Sequence, residues 1–135
     1  MRIRKTCNID LVKGLLKEIF PSDEIDVLKS DQLWIVWNDE KSPVGFCSLR
    51  PLEDGIAYLN WAGLLDEAKG QGLHKRMIKA RESWAKKNKY KQIITYTTVN
   101  NIQSARNLLK TKYELFLPEY AWAGENYLYF QKDIQ

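Results

Sequence analysis

Two glycines flank a glutamine in "LLDEAKGQGLHKRMI", residues 64–78, and Lys69, His74, Lys75 and Arg76 surround them. A strand-like run ends at Leu65, and an apolar helical period starts at Leu73. The glycines therefore sit where a strand hands over to a helix. The chemistry open to such a turn is anion binding. The first turn of a helix carries N–H groups without intrahelical acceptors and a partial positive charge. Glycine lets that backbone approach a ligand with no side chain between them. Gly70, Gln71, Gly72 and Leu73 would offer amides, and Lys69, Lys75 and Arg76 full charges. No "GK[ST]" follows the glycines, which excludes the Walker loop, and the three-glycine dinucleotide fingerprint is absent. By itself the loop also reads as a plain connector.

The rest of the chain must position this turn. Its 135 residues suit a single domain over residues 1–135, and 44% hydrophobic residues suffice for a core. The N-terminus lacks a signal-peptide run, and no apolar stretch could span a membrane. Cys7 and Cys47 fit no zinc spacing, so no metal site is expected and both read as free thiols of a cytoplasmic protein. The net charge of +4 favours anionic partners. "KRMIKARESWAKKNKYK" is basic with interleaved aromatics, but Trp84 falls on the apolar stripe. That stretch reads as a solvated helix face, ahead of a nucleic-acid surface.

Periodicity predicts a short strand at residues 2–6, then a helix over "NIDLVKGLLKEIFP" capped by Asn8, with Ile9, Val12, Leu16 and Ile19 on one face. "SDEIDVLKS" reads as one or two further helical turns. "QLWIVWN" and "VGFCSLR" form a hairpin, and "IAYLNWAGLL" a third, central strand in which Gly63 hints at a bulge or a close approach. A helix from Leu73 to about Lys87, the β-branched strand "KQIITYTTV" and the helix "NNIQSARNLLKTK" follow. In the last helix Ile102, Ala105, Leu108 and Leu109 point inward, with Asn100 or Asn101 as cap. Two strands joined near Gly124 end the chain. The order predicts an α/β domain whose two strand–helix–strand passages set parallel strands side by side.

Two segments in this order resemble the GNAT superfamily of acyl-CoA N-acyltransferases. The first is Lys69, Gly70, Gln71, Gly72, Leu73, His74, against the family's Arg/Gln-x-x-Gly-x-Gly/Ala. The second is Asn101, Ser104, Ala105, then Lys110, Thr111, Lys112, Tyr113, against Asn-x-x-Ser/Ala followed by Lys-x-Gly-Phe. The resemblance spans essentially the whole chain. It implies a mixed, mostly antiparallel sheet of six to seven strands, splayed at its centre and flanked by about four helices. It implies acetyl-CoA as co-substrate and transfer of its acetyl group to a primary amine of a small molecule or protein. Carried over, Lys69 to His74, with Lys75, would hold the pyrophosphate. Leu64 and Leu65 would offer backbone groups to the pantetheine arm. Asn101 would bond to that arm or fix the strand geometry.

The departures are specific. His74 stands where a small residue is usual, Leu108 where many relatives place a tyrosine acid, and Lys112 where a glycine precedes the aromatic. Tyr113 and Ser104 remain as candidate catalytic groups, with Tyr96 beside them. Amide formation needs a deprotonated amine, hence a base, and an N–H for the oxyanion, placed at Leu64. No glutamate lies on the strand before the loop; Asn60 occupies a plausible position there. Glu119 and Glu125, with Asp23, Glu24 and Asp26, could draw in a cationic acceptor, and Trp61, Tyr120 and Trp122 could cover it. The acceptor is an amine of unassigned identity, and a homodimer is compatible with the chain. The rival reading keeps the fold for binding an acyl-CoA or a partner, with the chemistry lost.

Overall fold

The computed structural model describes residues 1–24 and 26–135. Eight strands and three α-helices follow one another as β1 (Arg2–Thr6), α1 (Ile9–Ile19), β2 (Gln32–Trp37), β3 (Pro43–Pro51), β4 (Ile56–Tyr58), β5 (Ala62–Leu64), α2 (Leu73–Lys87), β6 (Gln92–Thr98), α3 (Ile102–Lys110), β7 (Glu114–Phe116) and β8 (Tyr127–Asp133). The Asn8 side chain accepts from Leu11 N at 3.0 Å and starts α1 as expected. Of the further helical turns expected over residues 22–30, the described residues form none. Asp31 there accepts from Leu28 N, and Arg50 donates to Asp26 O, which ties the described part of the segment as a loop over β3. Ile25 lies outside the described residues.

The sheet order is β1-β2-β3-β4-β6-β8-β7, with β5 paired to β3. Along β2 the side chains alternate, as a two-residue period requires. Leu33 and Ile35 pack with Val12, Leu15 and Leu16 of α1. Trp34 and Val36 pack with Leu73, Met77 and Ile78 of α2 on the other face. Two apolar clusters thus hold the sheet between α1 on one side and α2 with α3 on the other. Each fully buried Leu or Ile contributes about 2 kcal/mol.

Only one of the two expected parallel neighbourings forms. β4 and β6 pair in parallel across α2, but β8 inserts between β6 and β7 and runs antiparallel to both. α3 also differs from expectation. Leu108 is buried, while Ile102 and Leu109 are exposed. The helix turns Leu108 and Asn107 inward, and the stripe through Ile102 and Leu109 faces solvent.

Lys112 occupies the family's glycine position with φ +74. A non-glycine residue there bears roughly 1 kcal/mol of strain. A Lys112→Gly protein is therefore expected to be more stable by roughly 0.5 kcal/mol, after the added chain entropy of glycine. Thermal melts of the two proteins check this.

Candidate functional site

The site begins where the central strand breaks. The run from Ile56 to Leu65 was expected to be continuous, but it forms two strands that both pair with β3. Arg50 opposes Tyr58, and Cys47 opposes Ala62. Four steps on this strand thus face three on β3: one extra residue, a β-bulge between Tyr58 and Ala62. The bulge is pinned by Ser48. Its hydroxyl accepts from Trp61 N at 3.1 Å and donates to Asn60 Oδ1 at 2.6 Å. Gly63 is not the bulge itself. It serves the close approach instead, since a Cβ there would lie 2.9 Å from the Phe20 ring at the end of α1.

The bulge decides which backbone groups face the cleft. Trp61 O accepts from Ser48 N, and Leu65 N donates to Val44 O. Trp61, Gly63 and Leu65 therefore point their backbone groups at β3, and alternation turns those of Ala62 and Leu64 the other way. Among the described residues, no strand pairs with that second edge of β5. β6 follows the chain only as far as Leu59, whose N–H donates to Ile94 O and whose carbonyl accepts from Thr95 Oγ1 at 2.8 Å. Beyond that point β5 and β6 diverge. The result is a V with its vertex at Leu59 and Thr95 and an unpaired β-edge along one arm. Of the two leucines expected to offer backbone groups, Leu64 faces the gap, and Leu65 has its N–H engaged with β3.

At the wide end of the V lies the glycine turn. Gly70 and Gly72 have φ +76 and +74, a left-handed backbone that glycine adopts without strain. Among the described residues, no acceptor receives the N–H of residues 70–75. The Lys69 N–H is taken by Asp66 O, and its Nζ pairs with Asp66 at 2.9 Å on the exposed lip. Gln71 Nε2 donates to Glu67 O and holds the turn. A cleft of about 370 Å³ opens here, lined by Leu64, Gly70, Gly72, His74, Lys75 and Gln103 among others, with no carboxylate among the lining residues. Arg76 does not join it; its guanidinium donates to Met1 O.

A second segment of about 440 Å³ leads past Gly63, Phe20, Asn101 and Ser104 toward the vertex. Asn101 caps α3 by accepting from Ser104 N at 3.1 Å, so it fixes local geometry at the rim of the cleft. The last segment is a chamber of about 140 Å³ at the vertex, between β6, α2 and α3. Ser104 reaches it; Tyr113 lines none of these segments. Tyr113 is buried in the core, where burial and then the Glu82 carboxylate hold its phenol well above the ordinary range. Leu108, at the tyrosine position of many relatives, lines the chamber and brings no proton.

His74 lines all three segments. Burial, then the charges of Arg81 and Lys69, hold its imidazole below its ordinary value. Folding thus favours the neutral ring. Its contribution to stability is complete above the unfolded value of about 6.5 and is lost as pH falls through the lower folded value. Acidification below about 6.5 is expected to destabilise the protein, and less so a His74→Gln variant. Melts of both proteins at pH 7.5 and in the acid range check the difference.

Asn107, Gln103, Arg81 and Thr97 are cleft residues that sequence reasoning passed over. Arg81 had a readable signal: a charge inside the buried stripe of α2, between Ile78 and Ala85. The aromatics expected on the acceptor side line none of the three segments but pack against residues that do or stand nearby. Trp122 packs edge-on against Tyr58 and Tyr96, Trp61 leans on Phe20, and Tyr120 is exposed. Tyr96 itself lines the chamber. No described helix is long and apolar enough to cross a membrane.

The sequence model described as "Acetyltransferase (GNAT) family" matches residues 6–112. No curated protein matches the chain. Among solved structures, an IAA acetyltransferase from Bacillus cereus superposes with a TM-score of 0.81 at 13% identity, covering 98% of each chain. A GNAT family acetyltransferase from Elizabethkingia anophelis with acetyl-CoA bound gives 0.80 at 16% identity, over 98% of this chain and 97% of the other. A Bacillus subtilis acetyltransferase in complex with CoA gives 0.80 at 15% identity, over 99% of each.

Proposed function

Because the chain belongs to the GNAT acetyltransferase family, we propose that it transfers a short acyl group, acetyl as the reference case, from a coenzyme A thioester to a primary amine. One observation carries the reading: the unpaired edge of β5 leads directly to a turn whose N–H groups at residues 70–75 lack acceptors. An extended amide-bearing arm suits the first, and a diphosphate suits the second. Two of the structurally similar proteins hold acetyl-CoA or CoA.

The thioester supplies an activated carbonyl. The amine nitrogen attacks it, an N–C bond forms, the C–S bond breaks, and the sulfur leaves to take up a proton. The protein's own groups do three things. Gly70 to Lys75 and the Lys75 ammonium fix the anionic end. Ala62 and Leu64 present N–H groups to the gap, where a developing oxyanion would gain most from a preorganised donor. His74, neutral and inside the cleft, accepts the amine's proton directly or through water. Holding both reactants in the V contributes several kcal/mol more, about 7 at the lower end for well-oriented pairs. Thiol release from acetyl-CoA with a panel of amines tests the reading. Amine-dependent release above the hydrolytic background supports it.

A second reading, a silent acyl-CoA binder, has its own support. Leu108 lines the chamber in place of an acid, and no carboxylate lines any of the three cleft segments. Calorimetric binding of coenzyme A without turnover on any amine would select it.

A further inference from the structure

The chamber at the vertex is more polar than a methyl group requires. Arg81 reaches it from α2, Thr97 from β6 and Asn60 from the bulge. Arg81 is only 4% exposed and has no ion-pair partner among the described residues. Its Nε donates to Met77 O and its Nη1 to Ser48 O, both neutral carbonyls. Its neighbour Glu82 pairs with Lys132 instead, at 3.0 Å. A guanidinium stays charged when buried, and a buried charge without a counter-charge is costly.

Arg81 thus has acceptors but no counter-charge, and two other donors beside it have no acceptor at all. Thr97 is 7% exposed, and its Oγ1 has no partner. Asn60 Nδ2 is buried and has none either. Ser48 sets the way that amide points: its hydroxyl accepts from Trp61 N, and of its two acceptors Asn60 Oδ1 at 2.6 Å is far nearer than Trp61 O at 3.4 Å, so the proton goes to Oδ1. The free NH2 is left for the cavity. Buried polar atoms without partners are uncommon, and each calls for an explanation.

An arm lying along β5 would meet the main chain of Leu64 and Ala62, which can satisfy its amides. The three side-chain donors sit beyond that edge, at the narrow end where the reacting acyl group would lie. No carboxylate lines the chamber. We propose that the chamber receives the acyl end of the thioester and is built for one that ends in a carboxylate, of the malonyl or succinyl class. Arg81 supplies the counter-charge, and Thr97 and Asn60 supply hydrogen bonds. This rests on the acyl-CoA reading above and names its donor.

Calorimetry with coenzyme A, acetyl-CoA and succinyl-CoA on the full chain tests it, with malonyl-CoA as a shorter probe. The expected result is that succinyl-CoA or malonyl-CoA binds at least about tenfold more tightly than acetyl-CoA, in line with hydrogen bonds to a charged group. Arg81 also holds two carbonyls, so its replacement could unfold the chain. Thr97→Val and Asn60→Asp are the informative variants. The first removes a hydroxyl at constant shape, and the second keeps the acceptor for Ser48 while placing a negative charge in the chamber. Both should bring the preference close to unity, Asn60→Asp the more strongly, with coenzyme A affinity retained. Equal affinity for coenzyme A, acetyl-CoA and the two dicarboxylic thioesters overturns the inference and leaves the acyl-CoA reading standing. Failure of every coenzyme A species to bind overturns both.

Discussion

A Gly72→Asp protein is expected to fold and to bind coenzyme A about a hundredfold more weakly than the wild type, or worse, by calorimetry. The two halves of this result have separate causes. A Cβ at Gly72 meets nothing within 4 Å, so the fold has room for a side chain. The backbone at φ +74 opposes it mildly, by roughly 1 kcal/mol, and aspartate tolerates that region better than most residues. A carboxylate at the first turn of α2 also meets the positive end of the helix, which offsets part of the strain. The same carboxylate then occupies the place of the anion. At about 4 Å from a phosphate charge and an effective dielectric near 20, the repulsion is about 4 kcal/mol, more than a hundredfold requires. Gly72→Ala shares the strain without the charge and should lose far less. An aspartate variant that binds coenzyme A as well as the wild type would remove residues 70–75 from the site.

The second large effect is on stability. Gly45 lies on β3 behind the free-edged strand, and an added Cβ would sit 2.6 Å from Leu64 Cδ2 and 2.8 Å from Gly63 O. A leucine methyl can swing aside, but a backbone carbonyl in a paired strand cannot without the strand moving. Gly45→Val should therefore cost about 3 kcal/mol, at the upper end for overpacking. The melting temperature should fall by roughly 10 °C. Leu64 would be displaced with β5, so the protein that remains folded should also bind coenzyme A more weakly. Gly14 provides the contrast: it lies inside α1 with nothing within 4 Å of a Cβ. Gly14→Ala should raise stability by about 0.5–1 kcal/mol. Equal melting temperatures for wild type and Gly45→Val would show that β3 and β5 part easily.

The helices and most strands were legible because each has a local cause. α2 runs from Leu73 to Lys87, as its period and glycine start indicate, and Asn8 and Asn101 cap where short polar side chains are expected to. The break between β4 and β5 was not legible, because "IAYLNWAGLL" is apolar throughout. Its cause lies in the register against β3 and in the Ser48 hydroxyl, twelve residues earlier than Asn60. The exposure of Ile102 and Leu109 was hidden for a related reason. A nine-residue helix with apolar groups on two stripes does not say which stripe meets α2. In the site, the glycine turn declared itself through residue type. The polar chamber did not, because Asn60, Arg81 and Thr97 come from three elements and meet only once the sheet has splayed. His74 was placed with the phosphate turn by sequence; its side chain in fact reaches as far as the vertex.

The placing of β8 bears on the order in which the sheet closes. β8 fills the slot between β6 and β7 and pairs with both. Until residues 127–133 dock, the outer edge of β6 is bare and β7 has no strand to join. Leu115 and Leu117, exposed even in the finished protein, add apolar surface to that interval. A folding chain is thus most open to aggregation while β8 is undocked, and in that interval shielding the segment around residues 114–117 would do the most good.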